Sequence, residues 1–165
     1  MQCDIKQYWD LSDNDIYAVY DHAAGENFLT GAVYDASLSR EMFQLFARQA
    51  ECFCAVLVNG GNYGFFYLSR FEGATARLHL ALPGGEADGL REDVGRRILD
   101  WCFSIFEFKS LLAVTPAADA EAARLWSALG AGRLSEVPGL CWLEQKKRSV
   151  PGALFLLMRE PPLIH

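Results

Sequence analysis

The segment from Leu78 to Leu99 constrains the fold most, because its residues predict a strand, a glycine-rich loop and a helix in succession. The apolar run LHLAL is typical of a strand, and it ends at Pro83-Gly84-Gly85, residues that interrupt regular structure. An amphipathic helix follows and contains Gly95. A helix N-terminus presents unpaired backbone N–H groups and a partial positive charge. The sequence therefore predicts an anion site at this junction, of the kind that binds phosphate.

The same glycines also fit a simpler interpretation, in which the loop is only a turn. Every strand-to-helix connection needs a turn, and glycine is common there. The segment has neither the GxGxxG pattern of dinucleotide-binding folds nor the GxxxxGK[ST] pattern of P-loops. From these residues alone, both a phosphate site and a plain turn stay open.

The composition predicts one globular domain over residues 1–165. Hydrophobic residues make up 52% of the chain and charged residues 22%, which lies outside the range of disordered sequences. A chain of this length can bury one substantial core, and we expect no second domain.

The charge balance excludes one class of partner. A net charge of −6 and a pI near 5.0 argue against a nucleic-acid partner, because such proteins cluster Lys and Arg against the phosphate backbone. The basic run Lys146-Lys147-Arg148 lies between two apolar segments and is predicted to be a solvated hairpin loop. The sequence also shows neither a membrane-spanning run nor a signal peptide, so we expect a cytoplasmic protein with no membrane partner.

Five cysteines at scattered positions indicate reduced, buried thiols rather than a disulfide framework. Cys52 and Cys54 would share one strand face with Val56, which is a core pattern. The remaining cysteines and the three histidines form no recognisable pair of zinc ligands. We therefore expect no metal site.

The predicted elements mix helices and strands. Residues Cys3 to Tyr8 predict a first strand, and Ser12 and Ser39 are plausible N-caps of two helices. Helical spacing predicts that the second of these helices buries one apolar stripe. The stripe consists of Met42, Phe43, Leu45 and Phe46.

The rest of the chain predicts a meander and three further strands. Two apolar runs flank Asn59-Gly60-Gly61-Asn62, whose residues accept positive φ, so they predict a hairpin. ATARLHLAL adds a third antiparallel strand. A helix from Leu90, the buried strand SLLAVTP and a short helix closed by Gly130 follow. Two final strands surround the basic loop.

With its motifs, this order resembles the GNAT superfamily of acyl-CoA-dependent N-acetyltransferases over nearly the whole chain. The residues Gly95-Arg96-Arg97-Ile98-Leu99 are similar to the end of that family's pyrophosphate loop, and Ala123–Gly130 (ARLWSALG) is similar to its AxxLYxxLGF segment. The resemblance implies an α+β, three-layer αβα fold around a mixed, mostly antiparallel sheet of about seven strands. It also implies acetyl-CoA as co-substrate.

The resemblance further implies that the fourth and fifth strands separate and hold the CoA arm between them. His79 is then the best-placed general base, since imidazole titrates near neutral pH, although strand alternation also permits a purely structural role. Phe28, Tyr34 and Tyr67 are expected on the acceptor side. The residues expected to bind the cofactor are Leu80, Ala81, Leu82, Arg91, Val94, Gly95, Arg96, Asp119 and Trp126.

The chain departs from the family pattern in its pyrophosphate loop. The family motif usually reads Q/RxxGxG/A, whereas residues 90–95 read LREDVG, without the first Arg or Gln and without the earlier glycine. Two carboxylates therefore stand near the expected pyrophosphate, where like charge disfavours binding. Arg91, Arg96 or Arg97 would supply the positive charge.

A second departure concerns catalysis. Trp126 stands where many family members carry a tyrosine that protonates the leaving thiolate, and an indole N–H is no useful acid at neutral pH. Asp119 stands where an asparagine is common. Tyr67, Glu136 and Glu144 are further side chains that could reach the acceptor, and the sequence does not rank them.

We predict an N-acetyltransferase that transfers an acetyl group from acetyl-CoA to an amine of a small molecule or peptide. The alternative is a non-catalytic binding or assembly module that keeps the fold and forms a homodimer through its final strands; the altered loop and Trp126 favour it. A third hypothesis, an unrelated α+β domain, predicts no interaction with CoA. The acidic charge mildly favours a cationic acceptor.

Overall fold

A computed structural model describes residues 1–29, 38–84, 89–143 and 146–160, and within them the chain forms seven strands and four α-helices. The strands are β1 (Cys3–Gln7), β2 (Cys52–Val58), β3 (Gly61–Glu72), β4 (Thr75–Ala81), β5 (Ser110–Pro116), β6 (Gly132–Leu143) and β7 (Arg148–Met158). The helices are α1 (Asp13–Gly25), α2 (Arg40–Gln49), α3 (Leu90–Ile105) and α4 (Ala120–Ala128). No helix of the described residues is long and apolar enough to cross a membrane.

The strands form one mixed sheet in the order β1-β2-β3-β4-β5-β7-β6. β4 and β5 pair in parallel, and every other pair of neighbours is antiparallel. The predicted α+β fold, with a mostly antiparallel sheet of seven strands, is confirmed. The antiparallel meander of β2, β3 and β4 is confirmed as well.

Local sequence signals set the ends of several elements. Ser12 begins α1 with a capping box, since its Oγ accepts from the N–H of Asp15 (3.1 Å) and its own N–H donates to the Asp15 carboxylate (2.9 Å). Ser39 begins α2 in the same way, accepting from the N–H of Met42 at 3.2 Å. The β2–β3 turn is made by Asn59 and Gly60, with φ values of 50° and 82°, as their residue types predict.

The helices cover both faces of the sheet, because alternating strand residues are apolar on each side. One core packs α1 and α2 against side chains that include Phe53, Phe65 and Tyr67. The other packs α3 and α4 against side chains that include Cys54, Phe66 and Leu78. The predicted three-layer arrangement follows from these two cores.

The predicted apolar stripe of α2 is wrong for half of its residues. Phe43 is completely buried, whereas Met42 and Leu45 are 55% and 54% exposed. The helix buries Phe43 together with Ala47, one turn further on. Successive residues of a helix are about 100° apart, so Met42 and Leu45 lie well away from that line.

β4 and β5 are paired over only a short length. Their register joins Thr75–Arg77 to Ser110–Leu112, and no pairing continues beyond these residues. β4 stays paired with β3 as far as Ala81, and β5 stays paired with β7 as far as Pro116. The two strands therefore separate within an otherwise continuous sheet and leave a cleft between them.

We predict that Gly64→Ala lowers the free energy of unfolding by about 1–3 kcal/mol, as overpacking of a core does. A Cβ at Gly64 would lie 2.5 Å from the carbonyl oxygen of Ala81 and 2.8 Å from Cδ2 of Leu82. Gly132→Ala is the matched control, because no heavy atom lies within 4 Å of its Cβ position. Urea unfolding of both variants measures the difference. Equal stability of the two variants would contradict the close packing of β3 against the end of β4.

Candidate functional site

The cleft between β4 and β5 opens into a cavity of about 240 Å³. Its walls come from the end of β4, from β5 and from the first turns of α3 and α4, with Asn27 and Phe28 closing the side that follows α1. The predicted site residues that line it are Phe28, His79, Leu80, Ala81, Leu82, Arg91, Asp119 and Trp126.

Other predicted site residues lie elsewhere. Val94 is completely buried in the core beneath α3. A Cβ on Gly95 would lie 2.9 Å from Cδ2 of Leu129, so this glycine lies in close contact with the residue that follows α4. Arg96 is exposed and borders a different cavity. Tyr34 lies outside the described residues.

His79 sits in a polar niche on the cavity wall. Its Nε2 is 2.9 Å from Oγ of Ser69, and its ring stacks on that of Tyr67 with centroids 4.1 Å apart and planes 5° apart. Burial, with smaller contributions from the positive charges of Arg77 and Arg70, lowers the pKa of His79 from 6.5 to about 4. The imidazole is therefore neutral at physiological pH.

Tyr67 supports this histidine and does not line the cavity. Its ring packs edge-on against Phe46 of α2, with centroids 4.8 Å apart. Burial raises the pKa of the Tyr67 phenol above its usual value, so the hydroxyl stays protonated. Glu136 and Glu144 are the other two side chains predicted to be able to reach the acceptor. Glu136 is exposed and pairs with Arg133 (3.3 Å), away from the cavity. Glu144 lies outside the described residues.

The N-terminus of α3 differs from a glycine-rich phosphate loop. The helix starts at Leu90 after Gly89, whose φ of +78° only glycine adopts readily. The N–H of Asp93 donates to the carbonyl of Gly89 at 3.0 Å, so this amide is already used by the helix. Glu92 and Asp93 also pair with Arg96, at 3.6 Å and 3.3 Å. Their negative charges are therefore partly compensated.

Arg91 brings a positive charge to the cavity, and it is already paired. Its Nη1 donates to Oε1 of Glu121 at 2.8 Å, which joins the first turns of α3 and α4. Its Nε is buried and has no hydrogen-bond partner among the residues that the structure describes. The same Glu121 carboxylate fills the space beside Gly84.

Asp119 and Trp126 each have a structural role in α4, Asp119 as its N-cap and Trp126 as part of the core. The Asp119 carboxylate caps the helix by accepting from the N–H of Ala122 at 3.0 Å. Trp126 is 4% exposed and belongs to the core beneath α3 and α4. Its indole supplies an apolar wall to the cavity and no proton donor at neutral pH.

The thiols lie away from this site. Sγ of Cys52 is 3.8 Å from Sγ of Cys54, both side chains are buried, and burial raises the pKa of Cys102. Within the described ranges, no group of three or more side chains is arranged to hold a metal ion.

Solved structures with this architecture are acetyltransferases. A GNAT-family acetyltransferase from Bacillus anthracis is 12% identical, with 96% of this chain and 95% of that chain covered and a TM-score of 0.76. The Salmonella typhimurium enzyme that modifies the N-terminal serine of ribosomal protein L7/L12 is 7% identical, with 96% and 95% covered and a TM-score of 0.79. The chain is a divergent member of the GNAT fold.

A third GNAT-fold structure was solved with a ligand. It is yncA from Salmonella typhimurium with its cofactor acetyl-CoA, 13% identical to this chain, with 98% and 96% covered and a TM-score of 0.68. No protein-family model matches the sequence, and no curated protein matches it either. The similarity therefore shows the GNAT fold and not the activity.

Sequence reasoning missed two residues of this GNAT-fold cleft. Ser69 lies diagonally across from His79, because Tyr67 is the direct partner of His79 and Ser69 is two residues further along β3. Counting the hairpin register from the Glu72-Gly73 turn would have placed Ser69 opposite Leu78, because the sequence does not reveal the register shift between Ser69 and Glu72. Glu121 has no comparable signal, because its contact with Arg91 spans 30 residues and depends on how two helices approach.

We predict that His79 makes the protein less stable as the pH falls from 6.5 to 4. In this range the unfolded chain binds a proton at His79 and the folded protein does not, so the free energy of unfolding decreases. The contribution is up to about 3 kcal/mol. Urea unfolding at pH 7 and pH 4.5 should show a smaller loss for His79→Gln than for the wild type. An identical loss in both proteins would rule out the lowered pKa.

Proposed function

We propose that the protein is an acetyl-CoA-dependent N-acetyltransferase that acts on an amine acceptor. The separation of β4 from β5 beyond Arg77 and Leu112 carries this proposal. On the side facing β5, the backbone of Leu80–Leu82 has no strand partner, so its N–H and C=O groups are available to an extended ligand. The cavity continues to Arg91, where a negatively charged part of the ligand would meet a guanidinium.

These residues fit a thioester arm with a phosphate group at one end. Leu80–Leu82 would hold the arm through backbone hydrogen bonds, and Trp126 would pack against its apolar part. The partnerless Nε of Arg91 suits a phosphate oxygen. When bound, acetyl-CoA would supply an activated acetyl group. The acetyl-CoA complex of the GNAT-fold protein yncA supports this choice of donor.

His79 is the side chain proposed to take the proton from the attacking amine. A neutral imidazole can accept a proton, and one face of the cavity is formed by this residue. A pKa near 4 makes it a weak base for a free ammonium ion. The acceptor would therefore attack as its neutral amine, having lost its first proton to solvent, and His79 would take the second proton as the nitrogen becomes more acidic on bonding to the carbonyl carbon. Trp126 cannot protonate the leaving thiolate, and we assign that proton to solvent.

The acceptor proposed is a primary amine of a small molecule or a peptide. A peptide N-terminus is supported by the GNAT-fold enzyme that modifies the N-terminal serine of L7/L12. The net charge of −6 favours the approach of a cationic acceptor. Asn27 and Phe28, on the α1 side of the cavity, are the proposed acceptor wall.

Calorimetric titration with acetyl-CoA, followed by an acceptor screen, tests the proposal. We expect micromolar binding, and we expect His79→Gln to lower kcat by about 10²-fold with unchanged acetyl-CoA affinity, as loss of a general base does. The unchanged affinity serves as the internal control for folding of the cleft. No heat and no thermal stabilisation at millimolar acetyl-CoA would contradict the enzymatic function. An unaltered kcat in His79→Gln would remove only the role of the histidine.

A second candidate is a non-catalytic assembly module that forms a homodimer. β6 is an edge of the described sheet, and it carries Leu134 and Trp142, which are 55% and 51% exposed. Exposed apolar side chains on an edge strand favour pairing with another strand.

Sedimentation velocity distinguishes this candidate from a monomer. We predict that a homodimer, if it forms through β6, is lost in Leu134→Lys/Trp142→Lys, because two charges on each edge repel across the interface. Met42→Lys/Leu45→Lys on the exposed surface of α2 is the matched control, because it also replaces two exposed apolar side chains by two charges. A monomeric wild type, or a dimer that survives both changes on β6, would contradict this candidate.

A further inference from the structure

One ion pair stands at the end of the cavity that lies nearest to the starts of α3 and α4. Arg91 is the second residue of α3, and Glu121 is the second residue of α4. Their side chains meet at 2.8 Å, and both residues line the cavity. Anything that runs from the β4–β5 cleft toward the N-terminus of α3 therefore meets this pair.

The backbone after β4 leaves room for the carboxylate of Glu121. A Cβ added to Gly84 would lie 3.1 Å from Cδ of Glu121, so a larger residue there would require the carboxylate to shift. The carboxylate is thus packed against the strand end as well as paired with Arg91. A negative charge occupies the place where the predicted phosphate site would begin.

Arg91 is only partly used by this contact. Its Nη1 bonds to Glu121, whereas its Nε is buried with no hydrogen-bond partner in the described parts of the chain. A guanidinium can bind two oxygens of one phosphate side by side, which a single carboxylate contact does not achieve. Arg91 therefore has capacity for an anion with more oxygens and more charge than Glu121 offers.

We propose that Glu121 competes with the diphosphate of an acyl-CoA donor for Arg91, and so sets the donor affinity. This inference rests on the proposed function. If Glu121 stayed in place, its charge would repel the phosphates. The Glu121 side chain is 49% exposed, whereas that of Arg91 is 20% exposed, so the carboxylate has a path into solvent while Arg91 stays at the cavity and turns to the ligand.

The competition predicts a specific dependence on the chemistry of the donor. A donor that carries phosphates must displace Glu121. A donor with the same thioester arm and no phosphates reaches the β4–β5 cleft without opening the ion pair. Glu121 therefore discriminates between donors by their charge rather than by their acyl group.

Calorimetry of three proteins with two ligands tests the proposal. The proteins are the wild type, Glu121→Gln and Glu136→Gln, and the ligands are acetyl-CoA and S-acetylpantetheine, which lacks the phosphates. Glu136 is the matched control, because it also pairs with an arginine (Arg133, 3.3 Å), is 54% exposed and lies away from the cavity. We expect Glu121→Gln to bind acetyl-CoA about fivefold more tightly than the other two proteins, and all three to bind S-acetylpantetheine equally.

Each other result overturns the proposal. Unchanged or weaker acetyl-CoA binding in Glu121→Gln would show that the carboxylate does not compete, or that it orients Arg91 for the ligand. An equal gain for both ligands would indicate a change in cavity shape. An equal gain in Glu136→Gln would indicate an effect of net charge alone.

The proposed function fails separately from this inference. Binding of acetyl-CoA by the wild type tests the proposed function, and the difference between Glu121→Gln and Glu136→Gln tests the competition. If the wild type shows no binding and Glu121→Gln binds acetyl-CoA, the competition is supported and the native protein is not an acetyl-CoA enzyme. If no protein binds either ligand, both proposals are wrong.

Discussion

β4 and β5 hold the two parts of the sheet together through a parallel pairing of three residue pairs, and the cleft depends on where that pairing stops. Beyond Arg77, β4 follows β3, whereas β5 follows β7. Backbone groups that face the gap have lost their strand partners but remain at the edge of a rigid sheet. A buried backbone needs hydrogen-bond partners, so such a gap favours an extended polar ligand. The cavity between the two strands follows from this separation.

The two hydrophobic cores decide which side chains reach the cleft. Tyr67 and His79 lie on the face covered by α1 and α2, where burial holds the imidazole neutral. Trp126 lies on the opposite face and closes the cavity from the side of α4. One face therefore carries a group that can accept a proton, and the other carries an apolar wall. In the proposed function, the apolar wall would contact the ligand arm and the imidazole would face the acceptor.

The phosphate end of the cleft differs most from a simple anion site. The first turn of α3 is acidic, and Arg91 is paired with Glu121. These features weaken the attraction for an anion without removing it, because Arg91 keeps a buried donor with no partner in the described residues. The GNAT fold is thus retained with an acidic helix start and a paired arginine at the end of the cleft where we propose that phosphates bind.

Local signals in the sequence determined most of the secondary structure, because caps, turns and strand alternation act over a few residues. Ser12 and Ser39 start their helices, and Asn59-Gly60 forms the predicted turn. The same signals could not tell which face of α2 is buried, since Met42 and Leu45 are as apolar as Phe43. Gly95 shows the limit for the site, because its sequence context resembles a phosphate loop but does not reveal its close approach to Leu129. The contacts Ser69–His79 and Arg91–Glu121 join residues from separate elements, so only the tertiary structure decided them.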